Sequence, residues 1–454
     1  MSKMTPSWEL LSELIATQNS DQLTQFIETL SPSETARAIS RLDEQTQQKL
    51  LALLSPEDAA DMIEDIPDAQ AADLVEDMPT DQAAAILEEL SSDHLVDVLG
   101  EMDKQASRAI LAKMGREDAE EARMLLEYSP NCAGGLMISE FLVYKTDNTI
   151  EDVLNDLQVN RSEYVDYHVQ YFYVTDQDEK LVGVLRMHDM LFPVRGSRLD
   201  QIMISSPLSV LDNASLKDLE EFFEEHHLFG VPVVDEGGRL VGVVLPNAVE
   251  EAINKRKTTT FLRLSGIVGG EEFRTMPLLT RSGRRLSWLS MNIVLNIIAA
   301  SVIALYQDTL AAVITLAVFL PMVSDMSGCS GNQAVAVSMR ELSLGLVRPG
   351  ELFWVLAKEA KVGLINGMVL GILLGGVAYF WKGNPWLGLV VGGALAANTV
   401  VSVTLGGMLP LVLKKLKLDP ALVSSPLLTT VTDMCGFFFV LSFASAVLPK
   451  LGGM

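Results

Sequence analysis

Five long apolar stretches in the C-terminal part constrain this chain more than any other feature of its sequence. They cover residues 288–306, 310–338, 353–380, 387–413 and 427–448. Each is close to or above the roughly 20 residues that a helix needs to cross a bilayer. Backbone polar groups in lipid are satisfied within helices or closed barrels. We therefore predict a membrane-embedded, all-α domain of five helices over residues 281–454.

The distribution of basic residues predicts how these helices are oriented. Arg281, Arg284 and Arg285 precede the first stretch, and further Lys and Arg residues lie between the second and third and between the fourth and fifth. The loops between the first and second stretches and between the third and fourth contain one basic residue, Lys382. Because cytoplasmic loops are enriched in Lys and Arg, the N-terminus is expected in the cytoplasm.

The first 260 residues have a different composition from the apolar part. They hold 50 of the 59 acidic and 20 of the 34 basic side chains in a chain of net charge −25. From Ser55 onward a unit of about 12 residues repeats, opening with Pro, Ser, Thr or Asp, residues that suit the start of a helix. One short helix cannot bury its apolar face, so neighbouring helices must stack. This predicts an acidic, α-superhelical domain over residues 1–129, whose carboxylates are either solvated or bridged by divalent cations.

The middle of the chain contains one pattern twice. D-x-x-x-K/R-L-V-G-V begins at Asp176 and at Asp235, and each copy follows an extended segment and a helix. The duplication resembles a tandem pair of CBS (cystathionine-β-synthase) domains, which implies an α/β fold over residues 130–250.

That resemblance also implies a binding site for an adenosine nucleotide. Asp189 and Arg186, after the last strand of the first copy, are the candidate nucleotide-binding residues, and ATP is the candidate ligand. Val249 takes the place of the aspartate in the second copy. A short motif of this kind remains a hypothesis until its structural context is known.

Two carboxylates lie deep in the apolar stretches, Asp325 in the second and Asp433 in the fifth. An acid near the bilayer centre costs on the order of 2.5 to 3.5 kcal/mol on insertion scales, so it usually faces a pore or a partner. Mg²⁺ prefers oxygen ligands, keeps several waters and is usually held by one or two carboxylates. The alternative is a structural role in which Asp433 only hydrogen-bonds a neighbouring helix. The remaining polar residues predicted to line an ion path are Asn332, Gln333, Thr429, Thr430, Thr432 and Pro426.

The order of these parts resembles the MgtE family of bacterial Mg²⁺ transporters and channels over almost the whole chain. The most specific segment is LPLVLKKLKLDPALVSSPLLTTVTDMCG, residues 409–436. The resemblance implies a homodimer in the bacterial inner membrane, with the pore between subunits and Asp433 at the central ion site. It also implies that the cytoplasmic domains sense Mg²⁺, with Asp419 at a sensor contact, and that a connecting "plug" helix within residues 251–280 closes the pore.

Two features depart from the family pattern. Cys329 replaces the first Asn of the G-G-N-x-G-x-Q motif in the second stretch. The connecting helix carries Lys255, Arg256 and Lys257 where the family is rich in carboxylates. We therefore expect its basic side chains to pair directly with the acidic N-terminal array.

The sequence thus predicts a multidomain membrane protein that carries Mg²⁺ into the cytoplasm. Co²⁺ or Mn²⁺ remains an alternative cargo, because octahedral oxygen sites accept these ions too. A membrane-anchored metal or nucleotide sensor that transports nothing is a second alternative. No catalytic nucleophile, P-loop or redox motif is visible in the sequence, so we predict neither an enzyme nor a nucleic-acid-binding protein.

Overall fold

A computed structural model describes most of the chain. The described residues are 6–161, 164, 167, 170–190, 196–269, 272–274, 276 and 278–451. The chain forms two compact units, one of residues 1–257 and 273–276 and one of residues 258–272 and 277–454. Each is described separately below.

The first unit begins with short helices. They are α1 (Ser7–Thr17), α2 (Ser20–Ile27), α3 (Pro32–Ile39), α4 (Glu44–Leu53), α5 (Pro56–Glu64), α6 (Asp68–Glu76), α7 (Thr80–Leu87), α8 (Ser92–Glu101), α9 (Lys104–Leu111) and α10 (Arg116–Leu125). From α5 to α10 each helix begins 12 residues after the previous one. The predicted helical repeat and its period are therefore confirmed.

The repeat follows from capping residues and buried columns. Ser55 caps α5 by accepting a 3.1 Å hydrogen bond from the backbone N–H of Asp58, as expected of an N-cap serine. Apolar side chains spaced 12 residues apart are buried in successive helices, namely Ile63, Val75, Leu87, Leu99 and Leu111. Each helix therefore buries its apolar face against its neighbours.

Two similar sheets follow the helical array. Their elements are α11 (Ala133–Leu136), β1 (Met137–Ile138), β2 (Leu142–Lys145), α12 (Ile150–Val159), β3 (Tyr171–Thr175), β4 (Leu181–Arg186), a 3₁₀ turn (Met187–Met190), α13 (Leu199–Ile202), β5 (Ile204–Ser205), β6 (Val210–Leu211), α14 (Leu216–Glu225), β7 (Val231–Val234) and β8 (Leu240–Val244). One sheet has the order β2-β3-β4-β5 and the other β1-β8-β7-β6. The predicted pair of α/β modules is confirmed.

The duplicated sequence pattern has the same structural role in both modules. Oδ1 of Asp176 accepts hydrogen bonds from two backbone N–H groups in the turn between β3 and β4. Asp235 does the same between β7 and β8. The glycine of L-V-G-V allows close strand packing. A Cβ at Gly183 would collide with Met203, which directly precedes β5, and a Cβ at Gly242 would collide with Met137 of β1.

The remaining helices are long. They are α15 (Pro246–Leu264), which contributes residues to both units, then α16 (Leu278–Leu305), α17 (Gln307–Ala312), α18 (Leu316–Ser343), α19 (Leu352–Lys382), α20 (Pro385–Lys415), α21 (Pro420–Ala446) and α22 (Leu448–Leu451). Within the described residues, four helices are long and apolar enough to span a membrane: α16, α19, α20 and the part of α21 from Ser425 to Ala446. The fifth predicted span, α18, is a 28-residue helix outside that group, so its crossing of the membrane stays a prediction.

Helix α20 packs against α18, α19 and α21 at the centre of the second unit. Glycines permit its closest approaches. A Cβ at Gly331 of α18 would collide with Ser402 of α20, and one at Gly367 of α19 would lie 2.6 Å from the carbonyl oxygen of Ala396. Small residues of this kind let helices in membranes approach closely. The predicted fold class is thereby confirmed, while the domain boundaries predicted from the sequence remain predictions.

Candidate ion site

Asp433 lies partly buried in the middle of α21. Its Oδ1 accepts a hydrogen bond from the hydroxyl of Ser324 on α18. Asp325, the next residue of α18, is exposed and lies within electrostatic range of Asp433. Two helices therefore bring a carboxylate and a hydroxyl into contact, and a second carboxylate follows that serine directly in α18.

The three threonines of α21 differ in their exposure to solvent. Thr429 is exposed, whereas Thr430 and Thr432 are 8% and 0% exposed. Each hydroxyl donates to a carbonyl of its own helix: Thr429 to Ser425, Thr430 to Pro426 and Thr432 to Thr429. Thr429 is the one of the three whose side chain is accessible, and Thr430 and Thr432 lie in helix packing within the protomer.

Two amides of α18 complete the predicted lining. Asn332 and Gln333 are both exposed. Oδ1 of Asn332 accepts a 3.2 Å hydrogen bond from the hydroxyl of Ser425 on α21. This contact joins α18 and α21 about two helical turns from the contact between Ser324 and Asp433.

A buried polar cluster holds α18, α20 and α21 together beside Asp433. Nδ2 of Asn398 on α20 donates to Oγ of Ser327 at 2.5 Å and to the carbonyl oxygen of Thr432 at 3.0 Å. Oγ of Ser402 donates to the carbonyl oxygen of Ser327 at 2.6 Å. Asn398, Ser327 and Ser402 are all 0% exposed, so these bonds are formed away from water and fix the position of Asp433 relative to α18.

Asp419 is the N-cap of α21, where its Oδ1 accepts a 2.9 Å hydrogen bond from the N–H of Ala421. Its Oδ2 accepts a 2.8 Å hydrogen bond from Nη1 of Arg263 near the end of α15. Both carboxylate oxygens thus have protein donors, and the predicted sensor contact at Asp419 stays a prediction.

In the first unit, Lys255 of α15 pairs with the acidic array. Its Nζ lies 2.8 Å from Oδ2 of Asp68, 3.7 Å from Oδ2 of Asp97 and 3.7 Å from Oε1 of Glu101. The expected direct pairing between the basic helix and the array is therefore present. The ammonium group offsets part of the negative charge of these three carboxylates.

Burial and neighbouring charges change the pKa values of Asp97 and Lys255 in this cluster. Burial raises the pKa of Asp97 to about 6, Lys255 opposes this rise, and Asp68 and Asp93 add to it. Burial lowers the pKa of Lys255, but Asp97 and Asp68 outweigh that effect and raise it overall. The cluster still holds an excess of carboxylates over ammonium groups.

The two predicted nucleotide-binding residues form an ion pair with each other. Nε and Nη2 of Arg186 donate to the two carboxylate oxygens of Asp189 at 2.7 and 3.0 Å. These bonds hold the pKa of Asp189 below its usual value. A cleft nearby is lined by Tyr171, which is paired with Arg186 between strands, and by Phe229 on the other module.

Two residues that contribute to the site could not be identified from the sequence, Ser324 and Asn398. Ser324 was missed because a serine in a transmembrane helix is common, and only its contact with Asp433 distinguishes it. Asn398 has no distinguishing motif in the sequence, and its bonds are those of a contact between helices.

Three sequence profiles match the chain. A divalent cation transporter profile, MgtE, matches residues 320–443, the MgtE intracellular N domain matches residues 30–131, and the CBS domain matches residues 133–195 and 199–254. The chain is 30% identical over 332 residues to the magnesium transporter MgtE of Thermus thermophilus, with 73% of each chain covered. It is 26% identical over 341 residues to the magnesium transporter MgtE of Bacillus subtilis, with 75% of each chain covered.

The structure is similar to a crystal structure of the soluble part of a magnesium transporter. The TM-score is 0.50 at 26% identity, and the match covers 55% of this chain and 98% of the other.

Proposed function

Because the chain belongs to the MgtE family of divalent cation transporters, we propose that it carries Mg²⁺ across the bacterial inner membrane into the cytoplasm. Transport is the function of this family, so the chain is a membrane protein and not an enzyme. The observation that carries the proposal is the position of Asp433 within a helix apolar enough to span a membrane, where it contacts Ser324 of α18. Acids at such positions mark ion pathways more often than they serve packing.

The cation is held through its own waters at this site. One carboxylate oxygen of Asp433 and the side chain of Asp325 bind hydrated Mg²⁺, and Thr429, Asn332 and Gln333 accept or donate hydrogen bonds to its waters. Thr430, Thr432 and Pro426 serve the packing and local backbone of α21 instead. Mg²⁺ retains several waters and rarely uses a cage made only of protein ligands, which suits so few charged groups.

The working assembly is a homodimer in the bilayer. Two copies of Asp433 facing one pore would repel each other unless a dication lay between them. In this arrangement the transported ion itself neutralises the site, and an empty pore is electrostatically less stable than a loaded one. The proposal predicts that Mg²⁺ slows dissociation of the dimer in detergent.

The cytoplasmic helices regulate flux. Arg263 binds Asp419, the residue that caps α21, so a displacement of this part of α15 is transmitted to the helix that carries Asp433. ATP binding beside Asp189 and Arg186 is a second regulatory input that we propose for the α/β modules. Equilibrium binding of ATP to the wild type and to Asp189→Ala tests that input separately from transport.

Flux into proteoliposomes tests the proposed function. The full chain should move Mg²⁺ down its electrochemical gradient into vesicles that enclose a fluorescent Mg²⁺ indicator. A membrane-anchored sensor would bind Mg²⁺ without moving it, and a Co²⁺ or Mn²⁺ transporter would move those ions with Mg²⁺ excluded. Protein-free vesicles provide the control.

Regulation by internal Mg²⁺ has its own test. Protease cleavage within residues 1–260 of the full chain should slow as Mg²⁺ rises through the millimolar range, because bound ions hold the acidic domains together. Cleavage that is unchanged across this range would contradict Mg²⁺ sensing while leaving the transport proposal intact.

A further inference from the structure

The carboxylate of Asp433 has one neutral side-chain donor. The hydroxyl of Ser324 donates to Oδ1, and Ser324 is only 6% exposed. Among the hydrogen bonds of the described residues, none reaches Oδ2 of Asp433. The two oxygens of this carboxylate are therefore in different environments, since one is bonded to protein and the other is available to an ion or its waters.

Ser324 is held in place by its own helix and by α20. The hydroxyl of Ser327, one turn later, lies 2.9 Å from the carbonyl oxygen of Ser324 and accepts a hydrogen bond from Asn398. Asn398 also binds the carbonyl oxygen of Thr432, the residue before Asp433. One buried amide thus fixes the backbone on both sides of the contact between Ser324 and Asp433.

Close packing also limits movement of α21 at this point. A Cβ at Gly436 would lie 2.8 Å from Nδ2 of Asn398 and 3.6 Å from Cα of Ser324. Because this glycine lets α21 approach both neighbours, the serine hydroxyl reaches the carboxylate directly. The hydrogen bond restricts rotation of the carboxylate and commits one lone pair of Oδ1 to the serine.

A carboxylate with one hydrogen-bonded oxygen and one oxygen without a protein donor favours one class of dication. Ca²⁺ takes six to eight oxygens at variable geometry and often binds a carboxylate through both oxygens. Mg²⁺ keeps near-octahedral geometry, retains waters and uses single carboxylate oxygens. The serine hydroxyl draws electron density from Oδ1, and this weakens two-oxygen binding of Ca²⁺ more than one-oxygen or water-mediated binding of Mg²⁺.

We propose that Ser324 is a specificity-determining residue of the ion path, because its hydrogen bond to Asp433 weakens Oδ1 as a ligand, leaves Oδ2 as the stronger ligand for the cation and so discriminates Mg²⁺ against Ca²⁺. This inference rests on the proposed function. It assigns to α18 a role in selectivity that the charge of Asp433 alone does not provide.

The test compares fluxes of the two ions in proteoliposomes for variants of the full chain. Ser324→Ala should raise the ratio of Ca²⁺ to Mg²⁺ flux by about tenfold, since a hydrogen bond to a charged group is usually worth a factor of ten or more. Ser324→Thr, which keeps the hydroxyl, should retain the wild-type ratio. Ser324→Val, which has the shape of threonine without the hydroxyl, should behave like Ser324→Ala.

The outcomes separate the two proposals. Wild-type protein that moves no Mg²⁺ would overturn the proposed function and this inference with it. Wild-type Mg²⁺ flux together with unchanged ion ratios in Ser324→Ala and Ser324→Val would overturn the inference alone. A proportional loss of both fluxes in these two variants would also overturn it, because the hydroxyl would then serve packing only.

Discussion

Lys255 connects α15 to the acidic array through three carboxylates. Its ammonium group is one-third exposed and lies among Asp68, Asp97 and Glu101. Removing one partner of a partly buried ion pair leaves charges that lack compensation. A single side chain on α15 therefore links this helix to the acidic array.

Lys255→Met should loosen that contact. We expect it to cost about 1 to 2 kcal/mol, less than for a fully buried pair because solvent reaches the cluster. Amide hydrogen exchange of residues 250–256 in the full chain should accelerate about tenfold. Lys257→Met, at an exposed position on the same helix, is the matched control, and equal exchange in both variants would contradict this role of Lys255.

Asp97 should give the array a dependence on pH. The folded chain holds the Asp97 proton to about pH 6, whereas the unfolded chain releases it near 3.8. The folded state then binds more protons between these values, so the free energy of unfolding falls as pH rises from about 4 to 6.

Asp97→Asn should remove this decrease in the free energy of unfolding and so stabilise the array at pH 7.5. Because 36% of the Asp97 side chain is exposed, we expect a gain of about 1 kcal/mol rather than the full effect of the shift. Hydrogen exchange in α8 between pH 4.5 and 7.5, corrected for intrinsic rates, measures it. A variant that keeps the wild-type pH profile would show that another group is responsible.

At the scale of elements, Gly331 sets the distance between α18 and α20. A Cβ there would meet Oγ of Ser402, and one at Gly406 would meet the carbonyl oxygen of Gly331. Gly331→Ala should separate the two helices at a cost of about 1 to 3 kcal/mol. Thermal unfolding of the full chain in detergent measures this cost.

The control for that experiment is Gly376→Ala on α19. A Cβ at Gly376 would have no neighbour within 4 Å, so this variant should unfold at the wild-type temperature or slightly above it. Equal unfolding temperatures for the two variants would mean that α18 and α20 are not held at van der Waals contact.

Elements with a strong local signal could be predicted from the sequence. The 12-residue period placed the helices from α5 onward, and the duplicated L-V-G-V pattern placed β4 and β8, because burial of a repeated apolar face depends on spacing alone. The site was less predictable. Asp433 stands out as an acid in an apolar helix, but its partner Ser324 depends on the register of α18 against α21, which distant contacts determine.

Helix α18 falls largely within the predicted stretch 310–338, although it carries several polar side chains. Asp325, Asn332 and Gln333 lower its mean hydropathy, so composition alone does not mark it as a span in the way it marks α16 or α19. A helix that lines an aqueous path must carry such residues. The feature that weakens its identification as a membrane helix is thus the one that suits it to contact an ion.

At the scale of the whole molecule, two kinds of sequence are joined in one chain. An acidic helical array and a pair of α/β modules precede apolar helices that contain few charges. In the proposed function, Asp433, Asp325 and a few polar neighbours are enough to attract a dication, because the surrounding low dielectric strengthens each charge. Most of the acidic residues lie in the part of the chain to which we assign regulation, not in the ion path.

Mg²⁺ uptake by a Mg²⁺-starved bacterial strain that expresses Asp433→Asn tests the central claim most directly. Asn keeps the size of the side chain but removes its charge, so uptake should fall at least about tenfold at equal protein level in the membrane. Asp308→Asn, at an exposed position in the short helix α17, should transport like the wild type. Wild-type uptake by Asp433→Asn would contradict the assignment of the ion site.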